Sequence, residues 1–565
     1  MIPEMLHSVG AGRSTRPATL KLSLLAAALV LLAAPRAEAQ FDSGGYTSAD
    51  TPEARAHQTK LEKDRAIREG ILKKDALSAP IPELQVFAAV RLAETYTSNA
   101  AGSTGGNSSY DLYTQPSIHL GALEQSQRLT ASLNYTLMGQ YHARDHDLDQ
   151  LTHRLNAMAN AELLEQTLFL DAQAYAAPQA LTRAGTLTAA DGTPTNNNYR
   201  NVYSYAVRPT LMHQFGSAVE TDLWFSQSGV YFVTPSSANT TPLPGFFRPP
   251  TNSNSSAAGV RIAGLEDFVR LQWSLNASAS NTQQSNHNSQ KVRSATANLS
   301  YAVTSSIAVI GTGGYQIYHS SFLLNKDLDG PTLLGGLKFT PSPNFYFYVQ
   351  AGTQSNFPTY IGQLSWKVTP LTTVTASAND RVSTPQQGLA GALQGLGSTG
   401  IPSGPTDNPP TSQPGSATGG GLLSDGLSLD NSIYRYREFN ADITRGSERT
   451  QYGLSVFATL RDRLNDIPGV FLETHEKNYG VRATLTHKLR PDLTGGLSFS
   501  ASKANEFNGK DTILEGDANL AYAASQTLSF FVNTSVLHRN SDNLVGFSNG
   551  NLTDVRVTVG VSKSF

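Results

Sequence analysis

Apolar and polar residues trade places at every second position through long stretches of this chain. In RLTASLNYTLMGQYH, one side carries Leu129, Ala131, Leu133, Tyr135, Leu137, Gly139 and Tyr141; the other carries Arg128, Thr130, Ser132, Asn134, Thr136, Gln140 and His142. Met138 alone is out of place. Successive side chains of a strand point to opposite faces, so this pattern predicts strands and not helices. VRLQWSLNASAS repeats it, with Val269, Leu271, Trp273, Leu275, Ala277 and Ala279 opposed to polar neighbours, as do SATANLSYAV, THRLNAMANAEL and GVRATLTHKL. A soluble β-sandwich also alternates. These segments, however, run about 10 to 15 residues and recur through almost the whole chain, whereas ordinary strands average 5 or 6.

The connectors come in two kinds. Short links such as ALEQ, GLED, PSPN, RPD and ASQ alternate with long polar ones: TSNAAGSTGGNSS, the stretches 182–199 and 235–256, and a low-complexity segment at 383–431. Short periplasmic turns and long outer loops mark an outer-membrane barrel. The expected fold is all-β: a closed antiparallel transmembrane β-barrel of about 22 strands, within a range of roughly 16 to 22, spanning 84–565 with both ends in the periplasm. LKFTPSPNFYFYV, LSWKVTPLTTVTAS and LTHKLRPDLTGGLSFS each read strand, turn, strand, with Pro341, Pro370 and Pro491 at strand ends, where no ladder donor is required.

The chain stops on TDVRVTVGVSKSF. Val555, Val557, Val559 and Val561 share one face, and Arg556, Thr558, Gly560, Ser562 and Ser564 the other. In hydrocarbon every backbone polar group needs a partner within the protein, so this last strand is expected to pair with the first and close the sheet. Gly560 and the terminal Phe565 resemble the C-terminal signal read by the barrel assembly machinery, while Lys563 occupies a position where that signal has a hydrophobic residue.

The other end reads differently. Arg13, Arg16 and Lys21 precede the apolar run Leu22 to Ala34, and Ala37-Glu38-Ala39 follows, which predicts a signal peptide over 1–39. The run is too short for a transmembrane helix, which needs about 20 residues. The segment 40–83 is expected to be periplasmic, with a helix at about 52–74 capped by Asp50 or Thr51. A solvated helix, a plug and a docking helix for a periplasmic partner all fit its thin apolar stripe of Leu61, Ile67, Ile71 and Leu72.

Composition removes several function classes. Without cysteine there is neither a disulfide framework nor a thiolate metal site, and a net charge of -2 gives nucleic acid no electrostatic attraction. HARDHDLDQLTH gathers His142, Asp145, His146, Asp147, Asp149 and His153, a set that could hold a divalent cation or simply form a solvated outer loop, the reading preferred here; no metal and no other cofactor is expected. The chain has no G-x-S-x-G elbow and no evident nucleophile with its base, so no catalytic residues and no enzymatic activity are expected. The working surface is expected to be the lumen. Alternation assigns Arg128, Arg154, Arg270, Arg482, Arg556, Glu220, Asp222, Tyr346 and Tyr348 to its lining, together with Trp224, Arg261 and Lys338, with a modest basic excess that would favour anions.

The stretch from AETYTSN through LNYTLMGQYHARDHDLDQLTHRLNAMANAELLEQTLFLDAQAYA, with the KFTP and WKVTP hairpins, resembles the beta-barrel porin 2 family, outer-membrane barrels often associated with exopolysaccharide systems. That resemblance implies a location in the outer membrane of a Gram-negative bacterium, contact with outer-membrane lipid, and a role as the conduit of exopolysaccharide export with periplasmic polysaccharide-export proteins as partners. It brings no catalytic residues. A general or solute-specific diffusion porin, and a structural or adhesive barrel, are the alternative expectations.

Overall fold

The computed structural model describes residues 84–565 except 101, 103–108, 127, 181–198, 234–249, 266–267, 269, 287, 322–327, 388–431, 466–474, 507–508 and 544–549. The expected signal peptide, the helix at 52–74 and all but the first residues of the 383–431 segment therefore lie outside the described residues.

The strands are β1 (Leu84–Thr97), β2 (Asp111–Gln125), β3 (Leu129–His142), β4 (Gln150–Leu164), β5 (Leu168–Ala180), β6 (Tyr199–Phe215), β7 (Val219–Val233) and β8 (Ser253–Gly264). They continue with β9 (Leu271–Gln284), β10 (Ser289–Ala302), β11 (Ile307–Ser320), β12 (Gly330–Ser342), β13 (Phe345–Gln354), β14 (Phe357–Thr369) and β15 (Thr372–Ser383). The wall is completed by β16 (Tyr434–Gly446), β17 (Thr450–Arg463), β18 (His475–Arg490), β19 (Leu493–Glu506), β20 (Gly509–Ala523), β21 (Leu528–Asn543) and β22 (Gly550–Ser564).

Each strand pairs antiparallel with its chain neighbours, and β1 pairs with β22, so a single 22-stranded sheet closes on itself. The closing register runs from Ala89 opposite Ser564 to Thr97 opposite Arg556. Two further backbone bonds extend it, from Ser98 N–H to the Val555 carbonyl at 2.9 Å and from Phe565 N–H to the Ala88 carbonyl at 2.8 Å. No edge remains to recruit another chain.

Apolar positions face outward, as the alternation predicts. Leu133, Leu275, Leu299, Leu337, Val456, Leu497, Val532 and Val559 are all exposed on the outer wall, where hydrocarbon replaces water. Exposed aromatics flank this band, with Tyr96, Tyr141, Tyr315, Tyr360 and Tyr479 toward the long loops, and Tyr301, Trp366, Tyr452, Tyr522 and Phe530 toward the short turns. Trp273 also faces outward, its indole lying against Gly264 and edge-on to Phe268.

At the periplasmic end every connection between strands is short. In the β16–β17 turn, for example, Ser447 N–H donates to the Thr450 carbonyl at 2.7 Å and the Ser447 hydroxyl accepts from Thr450 N–H at 3.0 Å. Pro370 and Pro491 occupy such turns, and Pro341 sits at the register shift between Phe339 and Ser342 near the end of β12.

Candidate functional site: the barrel interior

Inward side chains differ sharply along the axis. Toward the periplasm, Lys367, Thr375, Ser377, Thr444, Thr486 and Lys488 on β14 to β18 are exposed to an open lumen, whereas Thr210, Glu220, Ala263 and Ser274 on β6 to β9 are buried near the same end. Toward the outer end, inward residues are buried on every side of the wall: Gln115, Gln140, Ser226, Thr282, Gln290, Gln316, Thr459, Asn478, Ser502 and Ser541 are all below a tenth exposed. A 22-stranded barrel is wide enough to leave a channel when nothing fills it, yet these inward side chains of the outer half are packed and not exposed to one.

The packed half has two chemically distinct sectors. Across β9 to β13 the lining is neutral and linked. Asn298 donates to the Ser274 hydroxyl at 3.2 Å, Thr312 to the Asn298 amide oxygen at 2.8 Å, and Gln350 to the Thr312 hydroxyl at 3.2 Å; the Tyr348 hydroxyl then donates to Gln350 at 2.8 Å. Amides and hydroxyls offer both donors and acceptors, and each bond orients the next, so the wall is a rigid polar surface without net charge.

Across β15 to β22 the lining is ionic. Arg381 pairs with Glu438 at 3.1 Å and lies 5.1 Å from the Tyr436 ring centroid. Arg461 pairs with Glu476, with both side chains at 0% exposure, and its guanidinium stacks 4.4 Å above the Tyr434 ring. Arg463 reaches the same carboxylate at 3.6 Å and donates to the Tyr434 hydroxyl at 3.1 Å. Farther round, Arg539 pairs with Asp511 at 3.0 Å and Arg556 with Asp554 at 2.5 Å, the latter carboxylate also accepting from Thr97 at 2.7 Å and from the Asn99 N–H at 3.1 Å. At the neighbouring rim, Leu328, Phe357, Ile433 and Leu464 form a buried apolar cluster against Tyr318 and Val382. Charges so deeply buried persist only when paired, because each ion removed from water costs several kcal/mol.

The predicted lining residues divide accordingly. Arg556 belongs to the ionic sector, and Arg482 faces Glu515 and Asp442. Glu220 and Asp222 are bridged by Arg261 at 3.2 and 2.8 Å. Arg154 and Trp224 are inward, Trp224 resting against Gly259 with Arg208 4.7 Å from its ring. Tyr348 joins the neutral chain, and Tyr346 lies 5.9 Å from the Lys338 ammonium. Arg128 pairs with Glu165 at 3.0 Å beside a periplasmic turn, and Arg270 is exposed just before β9.

The histidine-rich hairpin is split among different partners. His142 is buried and bonded to Asp111 at 3.1 Å, His146 lies 3.3 Å from Asp149, and His153 bonds to the Tyr203 hydroxyl at 2.9 Å. Among the described residues, no group of three or more His, Cys, Asp or Glu side chains converges on a point that a metal could occupy. Sequence reasoning missed Arg381, Arg461, Arg463, Glu476, Asp511, Arg539 and Asp554. The signal was present, since continuing inward from Thr459 by twos reaches Arg461 and Arg463.

The closed, girdled sheet makes the chain an outer-membrane β-barrel of a Gram-negative bacterium. No family model and no curated protein matches it. Among solved structures, it is similar to a mutant of the ferric enterobactin receptor PfeA from Pseudomonas aeruginosa, with 10% identity over 85% of this chain and 80% of that one, and a TM-score of 0.42. The ferric-catecholate import receptor Fiu from E. coli K12 gives 9% identity, 85% and 82% coverage and 0.43, and the FpvAI–pyocin S2 complex 9%, 85% and 73%, and 0.44. At these identities the likeness concerns fold alone. The expected role in exopolysaccharide export is corrected: the buried inner wall of the outer half fits neither an open polymer conduit nor an open diffusion pore.

Proposed function

We propose that this barrel is a ligand-selective transporter of the outer membrane, closed on its outer side until a ligand engages it. The observation that carries this reading is the axial gradient, with the inner wall buried in the outer half and, on β14 to β18, open toward the periplasm. A diffusion pore needs a continuous aqueous path, and a packed outer half denies it. The neutral amide and hydroxyl chain from Ser274 to Tyr348 supplies paired donors and acceptors suited to a polar, hydrogen-bonding ligand, while the opposite arginines are already neutralised by carboxylates.

Reconstitution of the purified full chain into planar bilayers tests the reading. Without ligand, stable large conductance steps are expected to be absent. Steady, ohmic, long-lived openings in most insertions would contradict it.

A further inference from the structure

The outer face of β18, β19 and β20 carries a cluster of cations near the outer end of the band, as β10 does with Lys291 and Arg293. Lys477, Lys503 and Lys510 are exposed, and each projects from the lipid side, the parity shared by Tyr479 and Leu514. Their registers make them neighbours. Lys477 is opposite Asn505, which is itself opposite Lys510, while Lys503 is opposite Tyr479 on one side and Thr512 on the other. Lys503 is therefore diagonal to both other lysines, a separation of about 7 to 8 Å that long side chains readily span.

No ion pair or hydrogen bond neutralises any of the three among the described residues. Two carboxylates are close in register: Asp542 opposite Lys510, and Asp462 diagonal to Lys477 but already engaged by Arg437. His475, at the outer end of β18, is engaged with Asp462 at 2.7 Å. The height of the cluster is fixed by its neighbours. Tyr479 belongs to the outer aromatic girdle, and Val456, Leu497 and Leu514 lie on the exposed wall beneath. Unpaired lysines directed at hydrocarbon are costly, whereas at headgroup height they meet phosphate.

The geometry points to Lys477, Lys503 and Lys510 forming a binding site for a phosphorylated glycolipid of the outer leaflet, its phosphates on the lysines and its acyl chains along the wall below. Charge complementarity and the apolar surface immediately beneath select this occupant: a soluble anion or an acidic protein would satisfy the lysines but leave Leu514 and Val456 unmatched. Asn505, Thr512 and Asn540 share the same outer rows and supply hydrogen-bonding groups for sugar hydroxyls.

Native mass spectrometry of the detergent-purified full chain, titrated with bisphosphorylated lipid A, dephosphorylated lipid A and phosphatidylglycerol, tests the site. The bisphosphorylated lipid is expected to bind at least tenfold more tightly than either of the others. In Lys477→Gln/Lys503→Gln/Lys510→Gln this preference should fall at least tenfold while heat-modifiable migration, the mark of a folded barrel, is retained. Should the triple variant fold poorly, Lys503→Gln alone is expected to weaken binding several-fold. Equal binding of the three lipids, or unchanged preference in a folded variant, would overturn the assignment. Inorganic phosphate competing as well as the lipid would also overturn it, by showing a bare anion site.

Discussion

Gly560 lies flat beneath the ring of Phe531, so close that a Cβ at this position would stand 2.2 Å from the ring's Cζ. On the ring's other face the Arg91 guanidinium sits 3.8 Å from the centroid. Arg91 comes from β1, Phe531 from β21 and Gly560 from β22, so the stack crosses the seam at which the sheet closes. Gly560→Val should force this ring from its place and lower barrel stability by about 1 to 3 kcal/mol, the usual cost of overpacking. Urea unfolding in lipid vesicles would report it, and a midpoint equal to the parent's would show that the stack is dispensable.

Phe565 adds the last rung of that seam through its N–H bond to Ala88, while its side chain is 74% exposed at the periplasmic edge. Deleting it should reduce the amount of heat-modifiable protein in outer membranes, because both that bond and the terminal aromatic are lost. Removing Lys563's charge should matter less: the ammonium bonds to the Thr527 hydroxyl at 2.6 Å on the exposed surface, where such contacts contribute little. Unchanged yield from the Phe565 deletion would contradict a role in assembly.

The ionic sector makes a sharper energetic prediction. Glu476→Ala leaves Arg461 buried without its carboxylate, a loss expected to cost about 3 to 5 kcal/mol, whereas Glu165→Ala breaks a pair with Arg128 that is mostly exposed and should cost under about 1 kcal/mol. Comparing the two variants by urea titration separates the cases. Equal, small effects would mean that the outer half is hydrated and that its ion pairs are screened.

Most of the architecture was legible because hydrocarbon imposes a period that water does not. Every lipid-facing position must be apolar and every inward one tolerates polarity, so Leu129 to Tyr141 announced a strand, its face and its length together. The closing pair of β1 and β22 followed from the same need to satisfy every backbone group. The interior was less legible. Parity put Arg556, Glu220 and Tyr348 inside, yet it does not name their partners: Asp554 lies two residues before Arg556 on the same strand, and Arg261 on the adjacent strand is matched to Glu220 and Asp222 only by register. Charge counting therefore suggested a basic lumen, while the structure pairs Arg261 and Arg556 with carboxylates.

Whether the passage is open to the periplasm and packed toward the outside is tested most directly by thiol accessibility, because the chain has no native cysteine to confuse the signal. Ser377→Cys and Thr486→Cys place thiols on the exposed inner wall, and Thr459→Cys and Ser502→Cys place them on the buried part, at 5% and 4% exposure in the parent residues. With a charged, water-soluble maleimide applied to the folded protein, the first pair should label at least tenfold faster than the second, and urea should erase the difference. Equal rapid labelling of all four positions in the folded barrel would show an open channel and contradict the claim.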